Sequence, residues 1–197
     1  MQKLIMDADG VLLEYDKAFI TYLRKQGLNY GQEYWRHPGF FDYIERFSHT
    51  QDFGKMQAPF GAQRSIEMLA RHFDIHIVTA PGDKPNVVEA RIHNLTSLFP
   101  AIKTDQITCL PLLASKYDVL SNFDAGSIFV DDNLLHIRTG EDVGLQSLWF
   151  KEEPGMYFSG EREAESETGF KPIVGWPDLV IEISEIGRKY IREQNDA

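Results

Sequence analysis

The 197-residue sequence predicts an α/β fold: a parallel sheet with helices on both faces, extended by a small α-helical insertion. Three observations predict it. Short apolar runs rich in β-branched residues alternate with stretches of helical spacing, and that order builds a parallel sheet. Several runs end in Asp or Thr, at the strand ends where such sheets bind ligands. Residues 27–60 lack strand alternation and are dense in aromatics, which reads as short helices and loops.

The elements follow in order. Lys3–Met6 is the first strand, and Phe19, Ile20 and Leu23 then take helical spacing. The aromatic stretch contains Tyr30, Tyr34, Trp35, Phe40, Phe41, Tyr43, Phe47, Phe53 and Phe60. Pro59-Phe60-Gly61-Ala62 is a helix entry, followed by Ile66, Leu69, Ala70 and Phe73 at core-facing positions. Asp74–Thr79 is the second strand, punctuated by Pro81-Gly82-Asp83. A helix over about Pro85–Leu98 should turn Val88, Ile92, Leu95 and Phe99 inward. The third strand is Ile107–Leu110, and a helix is expected over about Leu113–Leu120. Ser127–Val130 is the fourth strand, ending in Asp131-Asp132-Asn133, and Leu145–Phe150 is the fifth. The acidic stretch Lys151–Lys171 reads as a solvated loop. Gly175-Trp176-Pro177-Asp178 opens the last helix, with Pro177 suited to its first turn.

Composition narrows the function. A net charge of -10 opposes a general surface for a nucleic-acid backbone, whereas a small phosphorylated ligand needs only local donors. The single cysteine, Cys109, excludes an internal disulfide and suits a reducing compartment, so a cytoplasmic protein is expected. The apolar runs are too short to span a bilayer, and the chain enters a strand at Lys3, so neither a membrane segment nor a signal peptide is expected. Asn94-Leu95-Thr96 matches a glycosylation sequon but lies in a helical pattern and is set aside.

The chemistry begins at Asp7-Ala8-Asp9-Gly10-Val11. Two carboxylates at the end of a core strand are expensive to bury unless a cation or donors compensate them. The pair points to a divalent-metal site, with one carboxylate as nucleophile and the other as acid/base. Taken singly, Asp-x-Asp-Gly or Asp131-Asp132-Asn133 could be a turn, Thr79 a turn cap and Lys116 an exposed helix lysine. Jointly, those readings need several coincidences at one sheet edge. Lys103 is the competing lysine. Asp52-Phe53-Gly54 lacks the other kinase motifs, the six histidines form no zinc pattern, and His76 reads as a packed strand residue.

Four motifs in order, Asp7–Val11, Thr79, Lys116 and Asp131-Asp132, resemble those of the haloacid dehalogenase (HAD) superfamily of hydrolases. The resemblance implies a Rossmann-like core, a small cap and Mg²⁺ as cofactor. It implies that Asp7 attacks a phosphorylated substrate, forming an aspartyl-phosphate that water hydrolyses. Asp9 would protonate the leaving oxygen and then activate the water; an aspartate at this place marks the superfamily's phosphatases. Asp7, the Asp9 carbonyl, Asp131 and Asp132 would ligate Mg²⁺. Thr79, the Ala80 amide and Lys116 would hold the phosphoryl oxygens. The core would be residues 1–26 and 61–197, and the cap 27–60.

Within the superfamily the chain is similar to the 5'(3')-deoxyribonucleotidases. Pro38-Gly39-Phe40-Phe41, Phe60-Gly61-Ala62, Thr79-Ala80-Pro81, Phe129-Val130-Asp131-Asp132 and Trp176-Pro177-Asp178 carry that closer likeness. It departs at Ala8, where that family commonly has methionine, and in the acidic stretch after Phe150. The likeness implies a small phosphorylated metabolite, a (deoxy)nucleoside monophosphate first, with Phe40 or Phe41 lining its pocket. With the net charge and the short apolar runs, no nucleic-acid polymer and no membrane partner are expected, and a homodimer stays open. The alternatives are another small phosphate ester, such as a sugar phosphate, or a silent phosphate-binding or regulatory protein. The intact acidic and basic set argues against silence.

Overall fold

The computed structural model describes residues 1–28, 38–154, 161 and 171–195. Tyr30, Tyr34, Trp35 and most of the acidic stretch lie outside them. Six strands form one parallel sheet: β1 (Lys3–Met6), β2 (Asp74–Thr79), β3 (Ile107–Cys109), β4 (Ile128–Asp131), β5 (Gln146–Lys151) and β6 (Ile173–Val174). Their order is β3-β2-β1-β4-β5-β6. This is the expected α/β sheet, with β6 as an edge strand too short to be read from two residues.

The central strands β1 and β4 are largely apolar because both of their faces are covered. Leu4 and Met6 of β1, Ile75 and Ile77 of β2, and Ile128 and Val130 of β4 enter one core. Ile5, Val78, Phe129 and Trp149 alternate onto the opposite face and enter a second. In the central register, Met6 of β1 pairs with Ile77 on one side and Val130 on the other. Asp7 and Asp131, one residue beyond those partners, and Thr79, two beyond, therefore reach one edge together.

Seven helices are described: α1 (Tyr15–Lys25), α2 (Phe40–Ser48), α3 (Ala62–Leu69), α4 (Pro85–Leu98), α5 (Tyr117–Leu120), α6 (Leu134–Asp142) and α7 (Trp176–Asn195). Among them, none is long and apolar enough to cross a membrane. In the 27–60 segment, α2 and a 3-10 turn at Phe53–Lys55 match the expected short helices. Phe47 joins them to α1, with ring centroids 5.4 Å from Phe19 and Tyr22, and 5.7 Å from Phe53.

Three readings need correction. The buried face of α4 is Val87, Arg91, Asn94 and Leu95, one residue round from the expected Val88 and Ile92. Buried Asn94 donates from Nδ2 to the Met56 carbonyl at 3.0 Å. The expected helix from Leu113 shrinks to α5. Leu113 has φ 63, a left-handed backbone that cannot propagate a right-handed helix. The helix restarts where Ser115 Oγ accepts the Tyr117 N–H at 3.1 Å, leaving Lys116 at its cap rather than inside it. Helix α6 was not foreseen, although Asn133 announces it by accepting the Leu135 N–H at 2.9 Å.

Candidate active site

The site starts at the end of β1. The Asp7 N–H donates to the Val130 carbonyl at 2.9 Å, extending the ladder one residue beyond the strand. The chain then closes tightly: the Leu12 and Leu13 N–H groups both reach the Ala8 carbonyl at 2.9 Å. Gly10 makes this possible. Its φ is +74, and a Cβ there would overlap the Asp132 carboxylate. From the far end of the chain, Trp176 Nε1 donates to the Val11 carbonyl at 3.2 Å.

Lys116 is 1% exposed, and its Nζ donates to Asp7 Oδ1 at 2.6 Å and to Asp131 Oδ2 at 2.7 Å. Lys103 is exposed and caps a surface 3-10 turn. Asp131 also accepts the Asn133 N–H at 2.9 Å and lies 3.1 Å from His136 Nδ1. Burial pushes Asp131 upward, but the Lys116 charge and the bonds from His136 and Lys116 prevail, and its pKa falls to about 2. Burial raises Asp7 despite Lys116, with the Asp131 charge adding to the rise. Burial also lifts Asp132 well above the usual carboxylate range, against the pull of Lys151. Burial would lower Lys116, yet Asp131 and Asp7 hold it above its ordinary value.

One carboxylate oxygen from each of Asp7, Asp131 and Asp132 lies within 4.8 Å of the others. All three are hard oxygen donors, and Asp132 is held in a state that resists its own charge. This donor set fits a hard divalent cation. The Asp9 carboxylate stands outside the group. It faces Arg91, whose Nη2 lies 2.8 Å from Oδ1 and 2.9 Å from Oδ2. Burial raises Asp9, Arg91 counteracts it and the Asp7 charge adds to the rise, leaving its pKa at about 6.

Thr79 ends β2 fully buried, and its hydroxyl has no hydrogen-bond partner among the described residues. Ala80 follows it, half-buried. The structure thus brings Asp7, Thr79, Lys116, Asp131 and Asp132 to one edge, with Asp9 turned toward α4. The Phe40 ring packs edge-on against Phe19 at 6.1 Å, whereas Phe41 is 53% exposed.

Sequence reasoning missed four residues here. Arg91 hid one position off the apolar stripe assigned to α4. His136 lies on the unforeseen α6. Glu161 was counted in a solvated run but is buried: it accepts the Leu134 N–H at 3.0 Å and pairs with Lys151 Nζ at 2.8 Å. Lys151 in turn donates to the Asp132 carbonyl at 2.6 Å.

No protein-family model and no curated protein matches the chain. Solved structures do match its fold. A HAD family hydrolase of Deinococcus radiodurans R1 with bound phosphate and sodium aligns at TM-score 0.65 and 15% identity, over 95% of this chain and 96% of that one. A haloacid dehalogenase-like protein of unknown function from Agrobacterium tumefaciens aligns at 0.65 and 14%, over 94% and 99%. The HAD-hydrolase YfnB of Bacillus subtilis, bound to magnesium, aligns at 0.51 and 17%, over 86% and 99%. This chain has the fold of the haloacid dehalogenase-like hydrolases.

Proposed function

We propose that the protein is a Mg²⁺-dependent phosphomonoesterase acting through an aspartyl-phosphate on Asp7, with (deoxy)nucleoside monophosphates as favoured substrates. The observation that carries this is Lys116 bridging Asp7 and Asp131 beside Asp132, at the carboxyl edge of a parallel sheet. Fold neighbours that hold phosphate with sodium, or magnesium, support an oxyanion and a cation here.

In the first step an Asp7 oxygen bonds to phosphorus as the ester P–O bond breaks, and Asp9 gives its proton to the leaving oxygen. A carboxyl with a pKa near 6 keeps useful acid form near neutrality. In the second step Asp9 takes a proton from water as the water oxygen bonds to phosphorus. The bond to Asp7 breaks and inorganic phosphate leaves. The Thr79 hydroxyl, the Ala80 amide and Lys116 bind the phosphoryl oxygens throughout. Asp7, Asp131, Asp132 and the Asp9 carbonyl would hold Mg²⁺, which when bound neutralises charge on the phosphoryl group.

Nucleotide preference rests on the cap aromatics, with exposed Phe41 the better placed to stack on a base. The packing of Phe40 on Phe19 favours, as second reading, a smaller ester such as a sugar phosphate. A panel of nucleotides, sugar phosphates and p-nitrophenyl phosphate, assayed with Mg²⁺ and with EDTA, tests both. Mg²⁺-dependent release of phosphate, greatest from deoxynucleoside monophosphates, is expected. Greatest release from sugar phosphates selects the second reading, and no release from any ester overturns the phosphatase. Phe41→Ala should raise KM for the nucleotide and spare p-nitrophenyl phosphate.

A further inference from the structure

Arg91 is fully buried, yet much of its hydrogen-bonding capacity goes unused. Its Nη2 holds the Asp9 carboxylate, while Nε and Nη1 have no hydrogen-bond partner among the described residues. The guanidinium carbon lies 4.3 Å from the centroid of the Phe53 ring, in the 3-10 turn that closes the aromatic segment. Asn94, one turn further along α4, bonds the Met56 carbonyl just beyond that turn. The buried polar face of α4 thus joins the end of the segment at one point and Asp9 at another.

A packing role accounts poorly for this residue. A buried guanidinium with two unpartnered nitrogens is costly, and an apolar side chain would fill the space against Phe53 without that cost. The contact with Asp9 gives the charge a use. Both Asp9 oxygens lie within 2.9 Å of one nitrogen, and Oδ2 accepts its hydrogen bond, which fixes the direction of a carboxylate whose side chain is 26% exposed.

We propose that Arg91 is a positioning residue that aims the Asp9 carboxyl at the leaving oxygen, and that Phe53 holds the guanidinium in place. Seating of the Phe53–Lys55 turn on α4 then governs proton delivery to the leaving group. The inference rests on the phosphatase reading above.

The test compares kcat/KM for two esters: p-nitrophenyl phosphate, whose anion leaves without a proton, and the alkyl phosphate that the wild type cleaves best. Both values report the first chemical step. Arg91→Gln should lower the alkyl value by about a hundredfold, within the range for general acid catalysis, and the aryl value less than about fivefold. Asp9→Asn should shift the ratio the same way. Arg91→Lys, which retains a donor for Asp9, should recover part of it, and Phe53→Leu should give an intermediate ratio. Thermal midpoints verify that each variant folds, and Arg91→Lys and Phe53→Leu carry the test if Arg91→Gln does not. Equal losses on both esters would leave Arg91 a packing residue and overturn the proposal. A wild type that cleaves neither ester overturns the phosphatase reading before any variant is made.

Discussion

Asp7 and Asp131 stand side by side on neighbouring strands and share one ammonium. Lys116 bonds both, at 2.6 and 2.7 Å, yet they respond in opposite directions. Asp131 has His136 and the Asn133 N–H as further partners and stays ionised, whereas Asp7 is lifted. One cation cannot fully satisfy both carboxylates, which leaves a place for a second cation.

Asp7→Asn nearly preserves shape but removes the oxygen proposed to attack phosphorus. Turnover should fall by at least about a thousandfold while the far-UV spectrum is unchanged, as for loss of a covalent nucleophile. Near-normal turnover would remove Asp7 from the chemistry.

Lys116→Met strands two buried carboxylates. Breaking a buried ion pair costs on the order of 3–5 kcal/mol, and here one substitution breaks two. Urea unfolding in EDTA should show a loss of that order, with part of it recovered on adding Mg²⁺. A loss under about 1 kcal/mol would mean that the ammonium is not what stabilises this pair.

The pH dependence of the metal-free protein has a definite sign. Asp9 binds its proton near pH 6 when folded but only near the ordinary carboxylate value when unfolded, and Asp7 and Asp132 are raised as well. The folded state therefore holds more protons in that window, and stability falls as pH rises through about 6. Asp131 and Asp74 are lowered and act only below the usual carboxylate range, so they do not oppose it. The urea midpoint in EDTA should be higher near pH 5.5 than near 7.5, and Mg²⁺ should raise it more at the higher pH. A midpoint that climbs with pH between those values would contradict the shifts.

Glu161→Gln should destabilise the fold by roughly 3 kcal/mol, because it removes one charge of the buried Lys151–Glu161 pair at 2.8 Å. Mg²⁺ affinity, read from the midpoint shift, should weaken with it. An unchanged midpoint would return this glutamate to the solvated loop that its neighbours in sequence suggest.

The strands and the carboxyl-edge residues were legible because both depend on local signals. Apolar runs mark β1, β2, β4 and β5, and an Asp or Thr at the end of such a run is conspicuous. Arg91 was not legible. Its partner Asp9 lies 82 residues away, and a shift of one residue in the buried face of α4 turns a solvated arginine into a buried one. Glu161 was hidden for the opposite reason: charge runs ordinarily face water, and only the tertiary fold brings Lys151 and the first N–H of α6 to this glutamate. The start of α5 was misplaced because nothing in the apolar pattern announces a left-handed leucine.

The hydrogen bond from Trp176 to Val11 spans 165 residues of chain. The turn that carries Asp7 and Asp9 is synthesised well before the indole that secures it. During translation that turn must therefore wait, incompletely braced, until α7 emerges and docks against Phe150 and the turn. A chain halted before Trp176 would thus carry Asp7 and Asp9 without the bond that secures their turn.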